Sequence, residues 1–540
     1  MQGGEPSHIP QPHPTGFLCG LPVDRIATLR AACPKVVLSL PPRMRMLRPL
    51  VPVQNIRALE AVPCEDGKAS AVSDSGILLN WTESKGGRAA KVARALANGI
   101  ATAIALAVAA APARGAEEET ASLSPPGLPA GLDWTFHFDA TIGSFGFADS
   151  FYTNPKPEQP SGDLSDNWWE SSVVGGLSAV YTTASSAQIY GKISAAGERT
   201  DGGGPEVVGD DANSFEVEDL YVGWRSGNSI GDSENVLDFT VGRTRYRLGH
   251  GLLVWDGSSE GGSRGGYWTN ARQAFDMAAI GRFQPGAHTL EAFYLERDDL
   301  PEGGSDSELW GVNYEYAIGE DTTLGATYME WSADPLEAPQ RDGLEVYNLR
   351  AFTVPFPNLK GLSFEAEYAG EDNGALLDST AWNALVGYQF DMSWQPTLSY
   401  RYAVFEGDDP ATTDNEAFDG LFTGFHDWGT WWQGEIAGEY FVSNSNLITH
   451  MLRLHAQPSE AISTGLILYD FRLDERASFD PLVTSDEIAL ELDWYMDWSV
   501  SDNLVLSFVA AVAEPGDAIE QSSGRTDTFI YGMIFAAYSL

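Results

Sequence analysis

The feature that most constrains this chain is alternation. From about residue 133 to the end, apolar and polar side chains change places every second residue, in one segment after another. In Leu362-Ser363-Phe364-Glu365-Ala366-Glu367-Tyr368 the alternation is strict, and Trp310, Val312, Tyr314 and Tyr316 oppose Gly311, Asn313 and Glu315. Ile488, Leu490, Leu492 and Trp494 oppose Glu487, Ala489, Glu491 and Asp493, and Leu504, Leu506 and Phe508 repeat the pattern. A period of two describes a strand with one face in an apolar medium and the other in water.

A soluble sandwich also alternates, so the company each face keeps decides. Here the polar face holds Glu and Asp, and the apolar face ends in Trp and Tyr. The segments run about 10–14 residues, where globular strands average about 5–6. Tight turns (319–321, 501–502) alternate with long polar loops (201–213, 406–425). Short turns at one end, long loops at the other and aromatic girdles describe an all-β, antiparallel transmembrane β-barrel. Strands are expected to begin near Asp133, Asn167, Ser186, Phe215, Val236, Ala274, Thr289, Glu308, Thr322 and Leu344. Further starts fall near Leu362, Ser379, Trp394, Ile436, Leu447, Ile462, Glu487, Leu504 and Thr526. That is nineteen, and single-chain bacterial barrels are normally even-numbered, so eighteen is expected, with one weak segment lost and 427–432 read as loop.

Charge divides the chain. Residues 1–116 carry 13 Lys+Arg and 7 Asp+Glu, whereas residues 117–540 carry 19 and 69; Cys19, Cys33 and Cys64 all fall in the first part. The barrel region therefore has no disulfide or cysteine metal site, and its acidity argues against nucleic acid as a partner. Lys85, Arg88, Lys91 and Arg94 precede an uncharged, Ala-rich stretch ending near Ala111-Pro112-Ala113. This reads as a cleaved secretory signal over 85–116, preceded by a non-native or disordered extension over 1–84. A short lead over 117–132 then joins a barrel over 133–540. Expected partners are outer-membrane lipid, the barrel-assembly machinery and a permeating solute. No cofactor, metal or catalytic residue is expected.

Three motifs carry a resemblance. Val241-Gly242-Arg243-Thr244-Arg245-Tyr246-Arg247-Leu248-Gly249-His250-Gly251 runs on to Trp255-Asp256-Gly257, and Asn270-Ala271-Arg272-Gln273-Ala274-Phe275-Asp276 follows. The third is Phe418-Asp419-Gly420-Leu421-Phe422, with His426 and Gly429 shortly after and Gly420 standing where Pro is usual. In that order they resemble the signature elements of alginate export outer-membrane proteins. The resemblance implies an 18-stranded pore passing an anionic polysaccharide, with Asp256, Asn270, Phe275, Asp276, Phe418, Asp419, Leu421 and Phe422 as its motif-loop residues.

Arg243, Arg245 and Arg247 stand at i, i+2 and i+4, which on one strand is one face. Guanidiniums against lipid cost about 2–4 kcal/mol each near the midplane, so a lumenal ladder for anions is expected, extended by Arg264 and Arg272. The alternative is that these arginines neutralise lumenal acids such as Glu315, Glu365, Glu367, Glu487, Glu491 and Asp493, leaving a cation-preferring small-solute porin. The acidic run Asp408-Asp409…Asp414…Glu416 reads as a solvated loop rather than a Ca²⁺ site. Gly257-Ser258-Ser259-Glu260-Gly261 matches G-x-S-x-G, but a nucleophile elbow needs strand, turn and helix, and this segment is a Gly-rich loop.

Overall fold

The computed structural model describes residues 131–151, 166–202, 211–230, 233–255, 257–301, 303–356, 358–359, 361–424 and 434–540. The expected signal (85–116), the extension (1–84) and nearly all of the lead, with Asp256, His426 and Gly429, lie outside these residues.

Eighteen antiparallel strands close on themselves. They are β1 (Leu132–Ala148), β2 (Asp166–Thr182), β3 (Gln188–Asp201), β4 (Ala212–Arg225), β5 (Leu237–Thr244) and β6 (Phe275–Phe283). Next come β7 (His288–Glu296), β8 (Glu308–Ile318), β9 (Thr322–Ser332), β10 (Glu345–Pro355), β11 (Leu362–Asp372) and β12 (Asp378–Gln389). The last are β13 (Thr397–Phe405), β14 (Leu447–Ser459), β15 (Ile462–Arg472), β16 (Glu487–Ser501), β17 (Leu504–Pro515) and β18 (Phe529–Ser539). Each pairs with its neighbours in sequence, and β1 pairs with both β2 and β18. Every ladder group thus has a partner strand and the sheet has no edge, as a backbone in hydrocarbon requires.

The pleat sorts side chains as the alternation demands. On β8, Trp310, Val312, Tyr314 and Tyr316 are exposed on the outer face while Asn313 is buried inside; on β16, Leu490, Leu492 and Trp494 point out while Glu491 and Asp493 are buried. Outer aromatics touch across strands, Trp310 to Tyr328 at 5.8 Å and Tyr328 to Tyr347 at 5.3 Å between ring centres. This is the girdle of a membrane barrel. The pattern breaks at the start of β16, where Ile488 is buried and Glu487 exposed, at the place where the β15/β16 register shifts between Phe471 and Arg472.

The nineteenth expected strand, near Ile436, is instead a wide helical turn over Gly434–Gly438. The backbone N–H groups of Ile436 and Ala437 donate to the two carboxylate oxygens of Glu491, at 2.8 and 2.7 Å. Donors committed to a side chain are not available to a ladder. Short connections, such as Glu460–Ala461 and Asp502–Asn503, close one end of the barrel. The β5/β6 and β13/β14 connections, over 245–274 and 406–446, lie at the other end.

Candidate channel constriction

The β5/β6 connection folds into the barrel. Leaving β5, Tyr246 packs on Phe293 of β7, with ring centres 4.7 Å apart. His250 stacks on Phe352 of β10 at 3.7 Å and approaches Glu365 of β11 at 3.7 Å. The loop then returns to the opposite wall, where Trp268 meets Phe145 of β1 and Phe535 of β18 at 5.4 and 4.6 Å. All these partners lie on inner faces, so the described part of the loop crosses the barrel interior from one wall to the other.

The arginine ladder expected from the i, i+2, i+4 spacing does not form. Strand β5 ends at Thr244, so Arg245 and Arg247 stand beyond it, where residues 245–248 take no regular structure. The cause is local: Gly242 has φ +122°, a conformation side-chain-bearing residues avoid, and the β5/β6 register shifts between Gly242 and Thr244. The bulge turns the chain inward and redistributes the guanidiniums. Arg243, Arg264 and Arg272 converge on Asp298, just past β7, with Arg264 at 2.9 Å. Arg243 also pairs with Asp276, and Arg272 with Glu216 at 2.5 Å. Arg245 stands apart, paired with Glu218 at 3.0 Å and donating to the Ala271 carbonyl. Arg247 lies over the Trp255 ring at 4.6 Å.

The inner-wall acids have a task that alternation alone did not disclose. Glu170 on β2 accepts the backbone N–H groups of Trp268 and Thr269 at 2.7 and 2.8 Å. Glu198 on β3 accepts that of Ala271 at 2.6 Å, and Glu218 on β4 that of Gln273 at 3.1 Å. Glu491 does the same for the β13/β14 connection. Four carboxylates on four strands thus hold the backbone of two inserted loops. An amide donor buried without a partner costs about 1–3 kcal/mol, so the acids make the insertion affordable in a site largely closed to water.

Two of the motif residues, Phe275 and Phe422, meet where the two loops join, whereas Asp276 pairs with Arg243 instead. Phe422 donates its N–H to the Leu253 carbonyl at 3.0 Å and accepts from the N–H of Trp255 at 2.8 Å, joining the two loops. Its ring meets Trp331 at 4.6 Å and Phe275 at 6.0 Å, and the guanidiniums of Arg297 and Arg341 lie over it at 4.7 and 5.8 Å. Asp419 forms a two-pronged pair with Arg341 at 2.6 and 2.7 Å and accepts the N–H of Leu421, whose φ is +51°. Phe418 packs on Phe405 at 5.9 Å. Asn270 is buried with φ +33°.

Burial pushes the Asp298 carboxyl up, but Arg272, Arg243 and Arg264 outweigh it and hold the group below the usual aspartate range. Asp419 is likewise held low by Arg341 against the opposing effect of burial. Both pairs are ionised staples. Ser259, the middle serine of the G-x-S-x-G match, donates to Asp299 at 3.3 Å, and no helix follows it. Among the described residues no three His, Cys, Asp or Glu side chains converge as a metal site would need. In the acidic run, Asp408, Asp409 and Glu416 accept backbone N–H groups of the same loop.

Comparison with known proteins places these features. The family model described as alginate export matches residues 148–532. No curated protein matches the chain. Among solved structures it is similar to OccK7 (OpdD) of Pseudomonas aeruginosa, at 10% identity and TM-score 0.46, covering 76% of this chain and 99% of that one. It is also similar to OccAB2 of Acinetobacter baumannii, at 12% identity and TM-score 0.49, covering 75% and 98%. A third is the outer membrane protein OprD of Pseudomonas aeruginosa, at 12% identity and TM-score 0.46, covering 75% and 93%.

Proposed function

The chain belongs to the alginate export family and is an outer-membrane channel, and on that premise we propose that it passes small solutes passively, with a preference for cations, through a constriction shaped by the β5/β6 loop. The observation that carries this reading is the pairing of the arginines. Arg243, Arg264 and Arg272 share Asp298 and its neighbours, and Arg245 is tied to Glu218. A guanidinium already paired offers little field to a passing anion, while the region from residue 117 onward carries 69 acids against 19 bases. The arginines in this reading fix the loop, and the remaining carboxylates set the potential of the water-filled path.

A second reading has its own support. Passage of an anionic, alginate-like polysaccharide accords with the family, and Arg245 keeps half of its side chain exposed while Arg247 is also exposed. These two would then form the anion contact, with Arg243, Arg264 and Arg272 supporting the loop behind them. Reversal potential across a KCl gradient, with and without polyuronate, separates the readings. The cation reading predicts cation selectivity and no block. A block that disappears in Arg245→Ser/Arg247→Ser overturns it in favour of the polysaccharide.

A further inference from the structure

The β13/β14 connection brings acids of its own against acids of the wall. Glu435 is buried in the Gly434–Gly438 turn, and Glu439 follows it directly. Among the described residues, Asp493 and Glu439 act on Glu435, and Glu170 acts on Glu439. Tyr531 of β18 faces Glu435, Glu439 and Glu170 together, and Tyr440 packs on it at 5.9 Å. Glu491 lies beside Asp493 and holds the turn's backbone. Behind this pair stand Tyr469 of β15, Arg401 of β13 and Arg453 of β14.

Three carboxylate oxygens in this pocket, Glu435 Oε1, Glu439 Oε2 and Asp493 Oδ1, are shut from solvent and have no hydrogen-bond partner among the described residues. Asp493 accepts the Glu435 N–H through its other oxygen at 3.3 Å, but ionised carboxylates shut from solvent this close together would still repel one another. Protonated ones pack without that penalty. The aromatic side of the segment is neutral, with Tyr440 against Phe147 and Phe529 at 5.5 and 5.9 Å, and does not depend on pH.

We propose that residues 434–440 form a proton-operated latch, seated on the inner wall while Glu435 and Glu439 carry protons and released into the lumen as they ionise. The latch adds a control on opening to the channel and does not depend on which solute passes. Burial first, then Asp493 and Glu439, pushes Glu435 well above the ordinary glutamate range; burial, then Glu170, does the same for Glu439. A released segment titrates near the ordinary value, about 4.3. Seating is therefore fully favoured below that pH and is lost as pH rises through the raised values. Each pH unit in the window shifts the equilibrium about tenfold per carboxyl.

The test is conductance of the intact barrel in planar bilayers at pH 5, 7 and 9, with the reversal potential read at each pH. The latch predicts conductance that is low at pH 5 and rises by pH 9, with the sign of the reversal potential kept. It also predicts that Glu435→Gln/Glu439→Gln stays at the low level throughout, because the amides keep the shape and cannot ionise. Protease cleavage within 434–446 in the wild type should rise over the same range, which tests the latch without any substitution. Wild-type conductance and cleavage that do not change with pH, or a double variant that keeps the full rise, would overturn it.

Discussion

Replacing Asp298 by Asn removes one charge from the point where three arginines meet. The side chains of Arg264 and Arg272 are 5% and 1% exposed and that of Arg243 is 11% exposed, so none can reach bulk water without moving the loop. Removing one partner of a buried ion pair costs about 3–5 kcal/mol, mostly from the charge left behind. Glu216 still reaches Arg272 at 2.5 Å and Arg264 at 3.7 Å, and Asp276 still pairs with Arg243, which places the expected cost at the lower end. About 3 kcal/mol is more than a hundredfold in the seated fraction of residues 258–272, since 1.4 kcal/mol is tenfold. The barrel itself should stay closed, because no ladder hydrogen bond is touched. The assay is single-channel recording combined with limited proteolysis: the variant should show noisier, larger conductance, weaker cation preference and new cleavage in 258–272. The pH dependence has a definite sign. A carboxyl held below its ordinary value contributes its stability above about pH 3.9 and loses it only as pH falls through the lowered value. The wild-type staple should therefore hold throughout the neutral range. Wild-type conductance, selectivity and protease resistance in Asp298→Asn would refute the reasoning.

Two further substitutions probe different layers. Leu490→Arg places a charge on the lipid face and should cost about 2–4 kcal/mol near the midplane, seen as loss of the heat-modifiable form in gels; its neighbour Glu491→Gln should leave assembly intact and expose 434–446 to protease. Phe422→Ala empties a site that is 1% exposed and touches Trp331 and Phe275. Buried Phe→Ala changes cost about 3–5 kcal/mol, so both inserted loops should become protease-sensitive together while the barrel remains heat-modifiable.

The barrel was legible because its cause is local. Each strand must show lipid one face and the interior the other, so the period of two reports the environment residue by residue, and the retained starts fall within three residues of the observed ones. Ile436 misled because Gly434-Glu435-Ile436-Ala437-Gly438 is compatible with a strand, and only Glu491, 55 residues away, turns its amides elsewhere. The arginine ladder failed for a related reason. Spacing places residues on one face only while the strand lasts, and the bulge at Gly242 ends that condition within two residues. Asp298, Glu216 and the wall clamps Glu170, Glu198 and Glu218 escaped the sequence reading because nothing near them in the chain announces their partners. One signal was present: acids on the polar face of strands, in a chain with few bases, need donors, and buried loop amides are the donors most available.

The central claim is that the inserted β5/β6 loop, held by wall carboxylates, sets the constriction. Excising residues 251–269 and joining the ends with a short Gly-Ser linker leaves β5 and β6 intact and tests it most directly. Single-channel conductance of the heat-modifiable variant should rise several-fold over wild type, because the loop's volume leaves the barrel interior. Unchanged conductance from a correctly assembled variant would contradict the account and place the constriction elsewhere in the barrel.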